Sequence, residues 1–429
     1  MSLGEAARRA ADAVDPDRVA ALAQALVRAR SVVEPEQDGT EQEAAQVVVE
    51  ALREGGLEPI VEEVAPGRPN VVCDWTGSTF DPSVHRTLLF EGHSDVVTEG
   101  DASQWTVPPF EGRIEDGVLY GRGSADMKAG VAAAIAAIEA LRRAAPELPG
   151  RVRLGVVVDE ESMMLGIKHF IERGWADDVS GAIVCEPEEN EICLFQKGAM
   201  RLHVRVRGVM SHGAMPYAGI NPILGLTDFV TGVREIERSE QQRLGGHPYL
   251  GLPWLTPTIV SAPPSGEAQH NVMPEAAYLA LDVRTVPGQD HDDLLARLER
   301  LGRTVEEATP GLKVAVECFE SRPWTETPTD DPLVRAVERA YPAVLGRAPR
   351  YGGVPGATDG TFLRAWRGVP IVTLGPRVRP SAGRRGRGSP LRRRGRGVLW
   401  TGHFQATRWC RRVRRAGPGG PGVLEGGTR

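Results

Sequence analysis

Residues 128–161 read KAGVAAAIAAIEALRRAAPELPGRVRLGVVVDEE, and this stretch decides the fold class. Its first half, 128–144, is an Ala-rich helix former that Pro146 ends. Its second half, 151–161, is a short apolar run with an acidic end, as expected of a buried strand. Working outward, VVCDW (71–75), TLLFEGHSD (87–95) and GAIVCEPEE (181–189) repeat the strand pattern. Helices are expected over 16–30, where Val19, Leu22, Leu26 and Val27 recur at helical spacing, and over about 40–54. Strands alternating with helices predict an α/β sheet covered on both faces.

The pattern changes at 199–208, AMRLHVRVRG, where apolar and polar residues alternate as in a sheet with one solvated face. A helix at about 222–237, strands near 256–262 and 277–286, a helix at 290–307 and a strand at 312–319 follow. That β-α-β-β-α-β order suits a small two-layer domain inserted into the first. A helix at 331–345, YGGVPGATDG (351–360) and VPIVTLGP (369–376) return to the α/β style. The division is therefore 1–197 and 321–376 for the main domain, 198–320 for the insertion and 377–429 for a tail.

With 429 residues, 41% hydrophobic and 25% charged, the chain is of ordinary globular composition, long enough for two or three domains. No run of eighteen apolar residues exists, and the charged, helical N-terminus has no signal-peptide core, which points to the cytoplasm. Cysteines 73, 185, 193, 318 and 410 are scattered and odd in number, unlike a disulfide framework or a cysteine metal site.

Four strand ends carry chemistry. Ligands in open α/β sheets bind outside the carboxyl ends of strands, which gives the placement meaning. His93 and Asp95 follow LLFE; Asp126 precedes the Ala-rich helix; Asp159, Glu160 and Glu161 follow LGVVV; Glu186 follows the next strand. Each alone has a plainer reading: a surface turn, a helix cap or a solvated loop. Together they offer nitrogen and oxygen ligands without sulfur, a set suited to Zn, Co or Mn. Several carboxylates and a histidine can hold two metals with one carboxylate bridging.

The ordered run GHSDVV…W…PPFEG…DGVLYGRGSADMKAG resembles the dinuclear-zinc deacylases and peptidases, a family that includes acetylornithine deacetylase, succinyl-diaminopimelate desuccinylase, aminoacylase and glutamate carboxypeptidase. The resemblance covers about 15–376. It implies a zinc-peptidase-like catalytic domain, a mixed sheet covered by helices, with an inserted α+β lid and dimerisation domain. It implies two zinc ions, with cobalt or manganese as alternatives. His93 would bind one, Asp126 would bridge, Glu161 would bind one and Glu186 the other. Glu160 would be the general base, and Asp95 would orient His93. It also implies a cis peptide bond after Asp126. GVMSHGAMPYAGINPI (208–223) matches the family's lid, so His212 would reach into the partner subunit's site of a homodimer and stabilise an oxyanion. Asn271 and Arg284 match positions that grip a substrate carboxylate, and Gly356 matches a loop that approaches substrate closely. The implied reaction is metal-dependent hydrolysis of the amide bond in N-acyl amino acids or small peptides with a free carboxylate. The rival is a family member that only binds, because the C-terminal zinc histidine is absent.

The resemblance stops after TLGP (373–376). From Arg377 on there are fifteen Arg, no Lys and one acid, about +14, so the net −6 of the whole leaves about −20 for the body. No histidine appears until His403, 27 residues past Pro376, and it is not assigned as a ligand. A basic arm for nucleic acid, a solvated extension and an out-of-frame reading all account for the composition. The last is preferred. The body carries 32 Arg against four Lys, as GC-rich coding gives, and the tail replaces an element of the motif abruptly. On that reading no nucleic acid is bound and metal affinity is weak. Restoring the coding frame after Pro376 is expected to raise both metal content and hydrolysis; equal activity with and without the restored frame would rule it out.

Overall fold

The computed structural model describes residues 3–33, 41–376, 378–380 and 405–408. Its main sheet has nine strands. In spatial order these are Ile60–Ala65, Arg68–Thr76, Arg151–Val157, Thr87–His93, Val179–Val184, Ile371–Thr373, Ile192–Gln196 and Thr325–Glu326, with Tyr351–Val354 also paired to Ile192–Gln196. Thr87–His93 runs parallel to both Arg151–Val157 and Val179–Val184, while the Arg68–Thr76 side is antiparallel. The sheet is mixed, and its three central strands deliver their carboxyl ends to one edge.

The period-two alternation of strand side chains sorts the core. Val71, Cys73, Leu154 and Val156 face helices Pro16–Arg28, Gln42–Glu54 and Ala129–Ala144. Val72, Leu89 and Val157 face the opposite way, against Ile167 and Phe170 of Leu165–Glu172 and Phe362 and Leu363 of Gly360–Arg367. Local chemistry starts the helices. Asp15 accepts from the Asp17 N–H with Pro16 at the first position, and Asp331 accepts from Leu333 ahead of Pro332.

A second sheet, ordered Trp254–Ser261, Ala276–Thr285, Gly198–Arg207 and Lys313–Arg322, carries Pro222–Leu244 and His291–Ala308. The chain order is the expected β-α-β-β-α-β. Leu202, Val204, Val206, Leu279, Leu281 and Val283 pack against Phe229, Val233 and Leu298 of the helices.

Pro222–Leu244 runs seven residues past the expected end at 237. Apolar periodicity fades there, but Glu240 is buried between Arg243, Arg297 and Gln289 (2.6, 2.5 and 3.0 Å), which hold the last turns. The strand Ile60–Ala65 and the helices Leu165–Glu172 and Gly360–Arg367 have no counterpart in the sequence reading, being short or weakly periodic. Val378–Pro380 and Gln405–Arg408 pair with each other, and Gln405–Arg408 pairs with Val118–Tyr120. The other residues of the 377–429 tail, His403 among them, lie outside the described residues.

Candidate metal centre

Each candidate ligand sits where a buried element ends. His93 is the last residue of Thr87–His93, and Glu186 lies two residues beyond Val179–Val184. Glu160 and Glu161 follow Arg151–Val157. Asp126 lies in the tight turn Ser124–Lys128 with extended backbone (φ −114, ψ 99), and the Asp126–Met127 peptide bond is cis. Parallel neighbours bring these ends together. His93 Nε2 lies 3.2 Å from Asp126 Oδ1 and 3.6 Å from Glu186 Oε1. Two sets of ligand atoms each fall within 4.8 Å: His93, Asp126 and Glu161, and His93, Glu160 and Glu186.

Asp95 ties this cluster together in two ways. His93 Nδ1 is 2.9 Å from the Asp95 main-chain oxygen and 3.5 Å from its carboxylate. That carboxylate accepts the N–H groups of Glu160 (3.2 Å) and Glu161 (3.0 Å), so one residue fixes the imidazole and the acidic turn. Asp159 has a different role from its two neighbours. Its backbone is left-handed (φ +69), and its Oδ2 accepts from Met163 and Leu165. Its Oδ1 pairs with Arg68 (2.9 Å), which also clasps Glu41. Lys128, fully buried, donates to the carbonyls of Leu26 and Ala29 (2.8 Å each) and pins the turn to the end of Pro16–Arg28.

The electrostatics of the cluster favour a bound cation. Burial raises the Glu161 carboxyl to about 8, with Asp126 adding and His93 opposing. Burial and Asp126 bring Glu186 to about 7. Burial, Glu186, Asp359 and Glu161 hold Glu160 well above the usual range, against His93. Burial works against a charged His93, yet hydrogen bonds to Asp126, Asp95 and Glu186 raise its pKa well above the ordinary value. Water-poor carboxylates crowded on one imidazole repel one another unless a cation is present. Nitrogen plus several oxygens, without sulfur, fits borderline divalent cations placed among His93, Asp126, Glu160, Glu161 and Glu186.

The remaining candidates fall into two places. His212 lies on the short ladder Ser211–His212 with Val272–Met273, and Asn271 directly precedes Val272, its carbonyl accepting from the Gly213 N–H (2.7 Å). Both side chains are exposed, and neither makes a contact with the acidic cluster among the described residues. Arg284 and Gly356 meet: a Cβ on Gly356 would stand 3.8 Å from Arg284 Nη1. The other edge of the guanidinium is taken by Asp282 (2.6 and 3.1 Å), two residues back on the same strand face.

Several site groups went unread in the sequence. Glu91 and Asp359 are buried carboxyls behind the cluster, raised first by burial and then by neighbouring acids; Glu91 reaches about 8. Gln196 accepts from Thr358 N (3.2 Å), Thr358 Oγ1 (3.1 Å) and Thr361 Oγ1 (3.3 Å), and donates to Thr373 Oγ1 (2.8 Å), locking the GATDG loop. An acid inside the apolar LLFEGH run was the signal for Glu91.

Close backbone packing sets Glu186. A Cβ on Gly130 would lie 2.1 Å from the Cys185 carbonyl, and one on Gly375 2.2 Å from the Glu186 carbonyl. Gly130→Ala must push Ala129–Ala144 off the strand end. The expected cost is about 1–3 kcal/mol or more, read as a lower denaturant midpoint together with weaker metal binding. An unchanged midpoint would show that the helix shifts freely.

Known proteins resemble this chain in sequence and in fold. Residues 89–384 match the profile of peptidase family M20/M25/M40, well over half of the chain. A succinyl-diaminopimelate desuccinylase of Caulobacter vibrioides is 30% identical over 374 residues, 82% of this chain and 86% of the relative. An M20 family metallo-carboxypeptidase from Sulfolobus solfataricus superposes with TM-score 0.67 at 19% identity, over 83% of this chain and 91% of that one. A dinuclear metal binding peptidase of the same family from Bacillus subtilis superposes with TM-score 0.62 at 17% identity, over 86% and 91%. The resemblance read from the sequence and the mixed α/β fold are both borne out, and the chain belongs to peptidase family M20/M25/M40.

Proposed function

We propose that this chain is a metal-dependent amidohydrolase that cleaves the acyl–nitrogen bond of N-acyl amino acids or short peptides carrying a free carboxylate. The convergence of His93, Asp126, Glu160, Glu161 and Glu186 within one buried crevice carries the reading. The name of the Caulobacter relative, a desuccinylase, and that of the Sulfolobus neighbour, a carboxypeptidase, support the substrate class.

His93, Asp126, Glu161 and Glu186 would hold two divalent cations, zinc in the first place, with cobalt or manganese as alternatives. A bound cation pair acidifies a water and polarises a carbonyl oxygen. Glu160 takes the water's proton and passes it to the departing amine. Asp95 keeps His93 and the 160–161 turn in register through the contacts given above. Arg284 offers Nη1 to the substrate carboxylate beside Gly356, while Asp282 holds the guanidinium plane. His212, exposed beside Asn271, serves the site of a second copy in a homodimer, where it donates to the oxyanion. The reading places the enzyme in the cytoplasm; among the described residues no helix is long and apolar enough to cross a membrane.

A panel of N-acetyl and N-succinyl amino acids and dipeptides, assayed for amine release with added zinc or cobalt, tests this. Release from at least one class is expected. Metal bound in full with no release from any class would leave only the binding-protein reading.

A further inference from the structure

Lys197 is 6% exposed, yet among the described residues no carboxylate faces it. Its ammonium carries three protons, and one described bond uses it: Nζ to the Leu252 carbonyl, 2.6 Å. The charged neighbour that acts on it is another cation, Arg284. The backbone explains the approach. Gly198 pairs with Thr285 and Ala199 with Arg284 across the ladder, so Lys197 stands beside the guanidinium. The position is tight, since a Cβ on Gly198 would lie 2.3 Å from Thr285 Oγ1 and 2.6 Å from the Trp324 nitrogen. Leu252 is held in turn by the loop 245–253, where Tyr249 stacks on Phe195 at 5.3 Å. Lys197 N–H donates to the Val354 carbonyl (3.1 Å), two residues before Gly356.

A buried cation without a counter-ion is costly, and a second cation beside it adds repulsion. An anion received between the two would offset both, through charge-assisted hydrogen bonds. Arg284 is itself half-satisfied by Asp282, so among the described residues the donors left over are Arg284 Nη1 and the two Lys197 ammonium protons that Leu252 does not take. Building on the function proposed above, we infer that Lys197 is the second cationic donor for the substrate carboxylate and sets the preference for anionic over neutral substrates. Burial, and then Arg284, lower its pKa to about 8, which leaves it charged at neutral pH.

The test uses N-acetyl-L-alanine and its primary amide, which differ only in the charged group. Each is titrated calorimetrically, in chelator so that nothing turns over, into the full chain, Lys197→Met and Lys197→Arg. The chain as it stands is expected to bind the acid better than the amide. Lys197→Met should lose roughly ten- to a hundredfold on the acid and nothing on the amide, while Lys197→Arg keeps most of the preference. The melting temperature of Lys197→Met should hold or rise, because an uncompensated buried cation is removed. A lowered melting temperature with an intact acid preference would make Lys197 a structural prop for Leu252 and overturn the inference. Equal loss on acid and amide would overturn it too. If the unaltered chain fails to prefer the acid, the carboxylate requirement of the proposed function itself fails with it.

Discussion

Replacing Glu160 with alanine is expected to lower kcat by about 10²–10⁴ while the metal content stays that of the unaltered chain. Geometry allows Glu160 two roles. It shares one tight group with His93 and Glu186, as a ligand would, and it stands next to Glu161, whose carboxyl joins the other group. Its proton affinity favours the base. Burial, helped by Glu186, Asp359 and Glu161 and opposed by His93, raises its affinity for a proton, as taking one from water requires. Its backbone is fixed by Asp95 whatever the side chain, so the substitution removes a carboxyl without moving Glu161. Elemental analysis and amine release on the same sample separate the roles. Loss of metal in proportion to activity would make Glu160 a ligand. Retained activity would remove it from the chemistry.

How much of this was legible in the sequence varied with the range of the interaction. The strand ends that carry His93, Glu160–Glu161 and Glu186 were readable because burial leaves short apolar runs that stop at polar residues, and Asp126 because it stands just before the Ala-rich helix. The alternation over 199–208 likewise announced the second sheet, whose residues Leu202, Val204 and Val206 face the helices. Groups defined by contacts across the chain were not readable. Gln196 is one polar residue in ICLFQ until Thr358, Thr361 and Thr373 close around it. Lys197 looks like a surface lysine at a strand boundary until Val354 and Leu252 bury it. Arg284 matched a position that grips a carboxylate, but its i, i+2 neighbour Asp282, which takes one edge of the guanidinium, was not read. Asp159 read as one of three equivalent acids, but a left-handed backbone and Arg68 turn it away from the cluster.

Between about pH 4.5 and pH 8 the metal-free chain is expected to lose stability as pH rises, and a divalent cation to restore it. The sign follows from the acids of the cluster. Folding raises Glu161 from 4.5 to about 8 and Glu186 from 4.5 to about 7, chiefly by burial. In that window the folded chain holds more protons than the unfolded one, so deprotonation favours unfolding. His93 acts in the same sense: its raised pKa gives stability that is present below 6.5 and lost as pH climbs through the folded value. A bound cation replaces those protons as the neutralising charge and removes the slope. At a hundredfold excess over Kd, binding contributes about 2.7 kcal/mol, a rise in Tm of about 5–10 °C at 2–4 °C per kcal/mol. Thermal unfolding in chelator across the window, repeated with zinc or cobalt, reads both effects. Glu161→Gln should lessen the slope of the metal-free profile and shrink the response to metal together, since that carboxyl contributes to both. A melting temperature indifferent to pH and to cations would mean that these acids do not share one crevice in solution.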